Sequence, residues 1–162
     1  NYLSNYFFYT SNDRKYRFLR DVILNEKYYE IVLEMMQSKN YSISKRKDCL
    51  LMCTEDVKVL HNSGHSIGLH SHSHPTNFQS LNYKDQFEEY SENYEFLNSL
   101  IDGKISSMSH PCGNYNNDTL KILKKLDIKI GFRDSLVPEN IKSDLEIPRE
   151  DHSNILKMLK LN

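Results

Sequence analysis

Residues 64–75 read Gly64-His65-Ser66-Ile67-Gly68-Leu69-His70-Ser71-His72-Ser73-His74-Pro75 and hold four of the chain's seven histidines. Ser66 to Leu69 is a strand-like apolar run, and it delivers His70, His72 and His74 in alternation. Strand periodicity sets such residues on one face. Imidazoles repel one another once protonated and gain little by burying together. A cluster of them therefore suggests a shared ligand, and a divalent transition metal is the obvious one. The competing reading is a polar, exposed turn that is rich in histidine.

Working outward, Thr54 reads as an N-cap with Glu55 and Asp56 in the first turn, where the helix dipole favours acids. That helix should run to about His61 and stop at Asn62-Ser63-Gly64. Downstream, Phe87, Tyr90, Tyr94, Leu97 and Ile101 mark a long helix over about 82–100. Ile105 to Ser109 reads as a short buried strand, and His110 to Tyr115 as a loop. Asn117 caps a helix through Leu126, with Leu120, Leu123 and Leu126 facing inward. Ile128 to Phe132 is another strand, Ser135 to Lys142 a loop, and Glu146-Ile147-Pro148 a last short strand. Asp151 or Ser153 opens a final helix.

Helices alternating with short strands predict βαβ units around a parallel sheet. In such folds the chemistry sits at the carboxyl ends of the strands. The histidine cluster, the Pro111-Cys112-Gly113 loop and Arg133-Asp134 each follow a strand, so three polar segments converge on one rim.

Upstream of residue 54 the pattern is weaker. Tyr6 to Thr10 is a candidate strand, and Ser11-Asn12-Asp13 a turn or helix cap. Tyr28, Ile31, Val32, Met35 and Met36 have the spacing of an amphipathic helix within 21–40. Cys49 to Met52 is a short apolar piece.

Bulk properties exclude several classes. With 38% hydrophobic and 27% charged residues, the 162-residue chain is expected to be an ordinary globular domain. A net charge of -1 with the signs interspersed argues against a nucleic-acid surface. No apolar run approaches the ~20 residues of a membrane span. Five glycines and no Gly-rich loop leave no phosphate-binding motif. Three cysteines without framework spacing argue against disulfide stapling. Cys49 and Cys53, four apart, are expected in the core. Unpaired cysteines and no visible signal peptide favour the cytoplasm.

Residues 64–75, followed by Ser109-His110-Pro111-Cys112-Gly113-Asn114-Tyr115, resemble polysaccharide deacetylases of carbohydrate esterase family 4. That family's metal motif is His-Ser/Thr-x-x-His after a strand that often reads Gly-His-x-Ile-Gly, and a Pro-x-Gly loop follows downstream. The resemblance spans about Thr54 to Ser135. It implies an α/β fold, a partial or distorted (β/α) barrel with parallel strands. It also implies a hydrolase that removes N-acetyl or O-acetyl groups from a bacterial surface polysaccharide or its precursor. His70 and His74 become the implied ligands of a divalent metal, zinc first, completed by a carboxylate. By position alone, His72 between two small serines reads as exposed or supporting, and His61 and His65 at a helix end read as surface residues or partners of the helix dipole. The backbone amide of Cys112 becomes an oxyanion donor, and Pro111, Gly113 and Tyr115 become substrate-loop residues. His152 is the implied general acid.

The departures are specific. The family's Thr/Ser-Phe-Asp-Asp motif supplies the catalytic base and the third ligand, and no Asp-Asp pair occurs here. Thr10-Ser11-Asn12-Asp13 is the nearest match, and it would put a non-basic Asn12 in the base position. His110 stands where the Pro-x-Gly motif usually opens with arginine, and tryptophan is absent. Arg133-Asp134 stands in partly for the family's later Asp and Trp. One domain over 1–162 is expected, with 1–53 an irregular helical insert and 54–162 the motif-bearing units. The chain reads as the C-terminal portion of a deacetylase domain. Two rival readings stand beside the enzyme: a relic that binds metal or glycan without turnover, and a Cys112 thiol nucleophile with His110 or another rim histidine as base.

Overall fold

The computed structural model describes residues 2–4, 9–24, 27–41, 52–136, 141–150 and 152–159. Contacts divide the chain into two compact units, Asn1–Leu51 and Met52–Asn162.

The first unit is helical where it is described. Helix α1 (Ser11–Phe18) starts from a capping box. Asp13 N–H donates to Thr10 Oγ1 at 3.2 Å, and Asp13 Oδ2 accepts from Thr10 N–H at 2.9 Å. The expected cap is therefore present, with Thr10 as the capping residue. A π-helical segment, Leu19–Leu24, follows. Helix α2 (Tyr28–Ser38) begins seven residues later than the start of the expected 21–40 window. Tyr28, Ile31, Val32 and Met36 form its half-buried stripe, while Met35 is exposed. Neither helix has a fully buried residue. The strand expected at Tyr6–Thr10 and the apolar piece at Cys49–Met52 lie largely outside the described residues.

The second unit carries the sheet. Helix α3 (Thr54–Asn62) is capped by Cys53 rather than Thr54. Asp56 decides this, because its carboxylate reaches back to Cys53 N–H at 2.8 Å. That bond is the first cause of an Asp56 pKa below the ordinary carboxylate value. Cys53 is consequently exposed, not a core residue, since a cap lies outside the packed turns. Gly64, at φ +91°, ends the helix as expected.

Helix α4 (Tyr83–Asn98) is capped by Asn82, whose Oδ1 accepts from Asp85 N–H at 3.0 Å. Tyr90 is fully buried, and Phe87, Tyr94, Leu97 and Ile101 pack around the core. Strand β1 (Ser107–Ser109) leads to a 3-10 turn at Pro111–Gly113 and then to helix α5 (Asn117–Lys125). The α5 cap is Asn116, one residue earlier than expected, because its Oδ1 accepts from both Asp118 and Thr119 N–H. The inward face is accordingly Thr119, Ile122 and Leu123, with Leu120 and Leu126 only partly buried. Thr119 can be buried because its hydroxyl donates to Gln86 Oε1 at 2.6 Å, itself buried on α4. Strand β2 (Ile130–Phe132), a 3-10 turn at Asp144–Glu146 and helix α6 (His152–Met158) complete the unit.

β1 and β2 pair in parallel with Ser107 opposite Ile130 and Ser109 opposite Phe132. Single parallel bridges extend the sheet on both sides, Leu69 to Met108 and Phe132 to Ile147. Order in space thus follows order in the chain, from Leu69 through β1 and β2 to Ile147. Parallel neighbours require crossovers, and α4 and α5 are two of them. Leu69 and Met108 on the sheet join Tyr90, Ile122 and Leu123 on the helices in one core. The α/β class with parallel strands is as expected. The described residues form two short strands and two bridges, not a closed barrel.

Candidate functional site

Each carboxyl end of this sheet releases a polar segment on the same rim. Leu69 releases His70, β1 releases His110, and β2 releases Arg133-Asp134. Backbone bonds stitch the rim together, with Ser109 N–H on Leu69 O, His110 N–H on Phe132 O and Arg133 N–H on Ile147 O.

His70 and His74 meet there, with ring centroids 4.8 Å apart. Both side chains are exposed. His70 Nδ1 lies 2.8 Å from Ser109 O, and a carbonyl only accepts. Nδ1 therefore carries the proton, and Nε2 keeps the lone pair that a metal would take. Strand alternation does not produce this meeting. Ser71 and His74 both adopt left-handed backbone, at φ 62° and 57°, so the chain curls after His70 and returns His74 beside it. His72 is left on the outside, 3.7 Å from Glu92 Oε2.

Helix α4 holds the curl. Glu89 accepts the N–H groups of His72 and Ser73, each at 2.9 Å, and the Ser73 hydroxyl at 2.5 Å. Asn93 Oδ1 accepts His70 N–H at 3.0 Å. Neither residue stood out in the sequence. Their spacing of four on a helix was legible, but no motif marked it.

The Pro111–Gly113 turn closes the second side. Cys112 has φ 52° and Gly113 φ 63°. A Cβ on Gly113 would sit 2.0 Å from Asp134 Oδ1, so any other residue must displace that side chain and adopt left-handed backbone. Gly131 meets backbone instead, because a Cβ there would lie 2.5 Å from Leu145 O. That close approach brings the Leu145-Glu146 turn onto β2. Tyr115 donates its hydroxyl proton to Glu146 Oε1 at 3.0 Å, and Ser143 donates to Oε2 at 2.9 Å. Burial, then the bond to and charge of Glu146, push the Tyr115 phenol up, and Arg133 beside it opposes them.

His110 is 1% exposed and stacks on Tyr115 at 4.2 Å between centroids. Its Nε2–H donates to Leu145 O at 2.8 Å. Burial holds its pKa below the usual imidazole value, against the opposing pull of the Leu145 bond and the charges of Glu146 and Asp134. Its Nδ1 has no hydrogen-bond partner among the described residues, so His110 is not bonded to Cys112, which is exposed. A thiol nucleophile activated by His110 does not fit this arrangement.

Two imidazoles side by side fit the nitrogen half of a zinc site, with Zn–N bonds of ~2.0–2.1 Å. Among the described residues no cluster of three or more His, Cys, Asp or Glu side chains completes it. His152 opens α6 with its side chain exposed. Asp13 is engaged in the α1 capping box, whose bonds from Thr10 lower its pKa. A separate open cavity of about 510 Å³ is lined by His61, His65, Ile67, Ser107 and Phe132 among others. His70 and His74 are not part of it. No helix among the described residues is long and apolar enough to cross a membrane.

Solved structures similar to this chain include the Streptococcus pyogenes deacetylase PplD, at 18% identity and a TM-score of 0.56 over 81% of this chain and 64% of that one. The deacetylase domain of BpsB from Bordetella bronchiseptica matches at 15% identity and 0.54, over 77% and 66%. A de-N-acetylase from Aggregatibacter actinomycetemcomitans matches at 14% and 0.52, over 77% and 65%. The chain thus spans about two thirds of each, and at such identities the likeness is one of fold. No curated protein matches the sequence. The family model for polysaccharide deacetylases matches residues 7–131. It starts well before Thr54 and takes in both the histidine curl and the Pro111 turn. With that match covering most of its length, the chain belongs to the polysaccharide deacetylase family.

Proposed function

We propose that this chain is part of a metal-dependent hydrolase that removes acetyl groups from a bacterial surface polysaccharide or its precursor. One observation carries the reading: His70 and His74 share a strand-end rim, 4.8 Å apart, with the His70 tautomer set by Ser109 O. His70 Nε2 and the His74 imidazole would hold zinc, which when bound polarises a water and the acetyl carbonyl. The Cys112 amide would donate to the developing oxyanion. Pro111, Gly113 and Tyr115 would shape the wall against the sugar, and His152 would protonate the leaving group.

A second reading has its own observation. On the Thr10-Ser11-Asn12-Asp13 match a non-basic Asn12 would stand in the base position, and the Asp13 carboxylate is bonded within α1. That favours a protein that binds metal or glycan without turnover. Zinc titration beside acetate release from N-acetylated and O-acetylated glycans separates the two. The hydrolase reading expects zinc-dependent release that is lost in His70→Ala and His74→Ala. Zinc binding with no release supports the second reading, and no zinc binding removes the metal site from both.

A further inference from the structure

We propose that Glu89 is the positioning residue that holds the histidine curl in its ligating shape. The inference rests on the metal-site reading above and deepens it. Between the two imidazoles the chain must reverse, and it does so through two non-glycine residues in the left-handed region, Ser71 and His74. Such conformations cost of order 1–3 kcal/mol each and persist only where the surroundings enforce them.

The enforcing backbone contacts among the described residues can be named. The N–H of His70 goes to Asn93, those of His72 and Ser73 go to Glu89, and that of His74 goes to Ser71 Oγ at 3.1 Å. Glu89 contributes three of the bonds from outside the curl, spread over both carboxylate oxygens. Glu89 and Asn93 are one helical turn apart and share a face of α4. Tyr90, next to Glu89, is 0% exposed and anchors that helix in the core. The curl is therefore tied to a rigid element, not to a loop. In these bonds Glu89 touches neither imidazole. Its role is to orient the ligands, and groups that orient metal ligands typically carry 10- to 100-fold in metal affinity.

The chemistry of the acceptor predicts which substitution rescues. Glutamine at this position can still accept the two N–H donors through its carbonyl and donate to the Ser73 hydroxyl through its amide. Alanine can do neither. The test uses the full chain, with zinc affinity read by chelator competition and the His70 and His74 imidazole signals read by NMR without metal. Glu89→Ala is expected to weaken zinc binding 10- to 100-fold and to shift both imidazole signals. Glu89→Gln is expected to stay within about threefold with wild-type signals, and the exposed Glu88→Ala is the control. Unchanged affinity and signals in Glu89→Ala overturn the proposal, as do equal losses in Ala and Gln, which would indicate charge alone. A wild-type chain that binds no zinc defeats the metal-site reading, while the NMR comparison still decides whether Glu89 positions the curl. If Glu89→Ala does not fold, Glu89→Met, which keeps the side-chain length but cannot hold the N–H donors, carries the same comparison against Glu89→Gln.

Discussion

The histidine curl follows the Leu69 bridge and the Pro111–Gly113 turn follows β1 beside it, yet the two segments treat an imidazole in opposite ways. His70 is exposed, bonded at Nδ1 to Ser109 O, with Nε2 left as the lone-pair atom. His110 is buried, bonded at Nε2 to Leu145 O and stacked on Tyr115. Each imidazole is held by a backbone carbonyl. Solvent access and the choice of bonded nitrogen separate a ligand from a core residue. A histidine in sequence carries neither label.

The sharpest way to break this contrast is to remove each ring. His70→Ala is expected to weaken zinc binding about 1,000-fold, or about 4 kcal/mol, with the unfolding midpoint of the metal-free protein almost unchanged. Calorimetric titration and thermal unfolding check the pair of outcomes. His110→Ala should do the reverse. It leaves a cavity under Tyr115 and an unbonded Leu145 carbonyl, so about 3 kcal/mol of stability is lost in urea unfolding. Equal effects of the two substitutions on stability would erase the distinction.

A smaller effect tests the turn between them. Gly113→Ala puts a methyl onto the Asp134 carboxylate in left-handed backbone and should cost about 2 kcal/mol. Adding Asp134→Ala should recover part of that loss, and no recovery would mean that the carboxylate is not the obstacle.

The smallest effect is on pH dependence. The His110 pKa in the folded protein lies below its unfolded value of about 6.5. Below that value the unfolded chain binds more protons, so stability falls as pH drops through about 6.5 and levels off above it. The slope from this one group cannot exceed about 1.4 kcal/mol per pH unit. Glu146, Asp134 and His70 act on the same ring, so the comparison is between wild type and His110→Gln at pH 7.5 and 5.5. Identical slopes would show that His110 titrates normally.

Much of this was legible in the sequence, and the limits fall at identifiable residues. The long helix α4 was readable because Phe87, Tyr90, Tyr94 and Leu97 repeat at the helical period and all pack as that period requires. The rim was readable too, since strand ends in parallel sheets collect chemistry. The start of helix α5 is ambiguous by one residue in the sequence, because Asn116 and Asn117 are both good caps. Only the bonds to Asp118 and Thr119 choose between them. Thr119 lies outside the Leu120, Leu123 and Leu126 stripe, and its buried partner, Gln86, is 33 residues away.

By itself, the sequence determined the alternation of helices with short strands, the pairing of His70 with His74 and the membership of a deacetylase family. Local periodicity and a short motif are enough for these, because both act over neighbouring residues. Tertiary structure alone decided that His110 is buried, that the histidines meet by a curl and not by strand alternation, and that Glu89 and Asn93 hold that curl. Those outcomes depend on contacts between residues 16 to 39 positions apart, and burial sets whether an imidazole faces a ligand or a core.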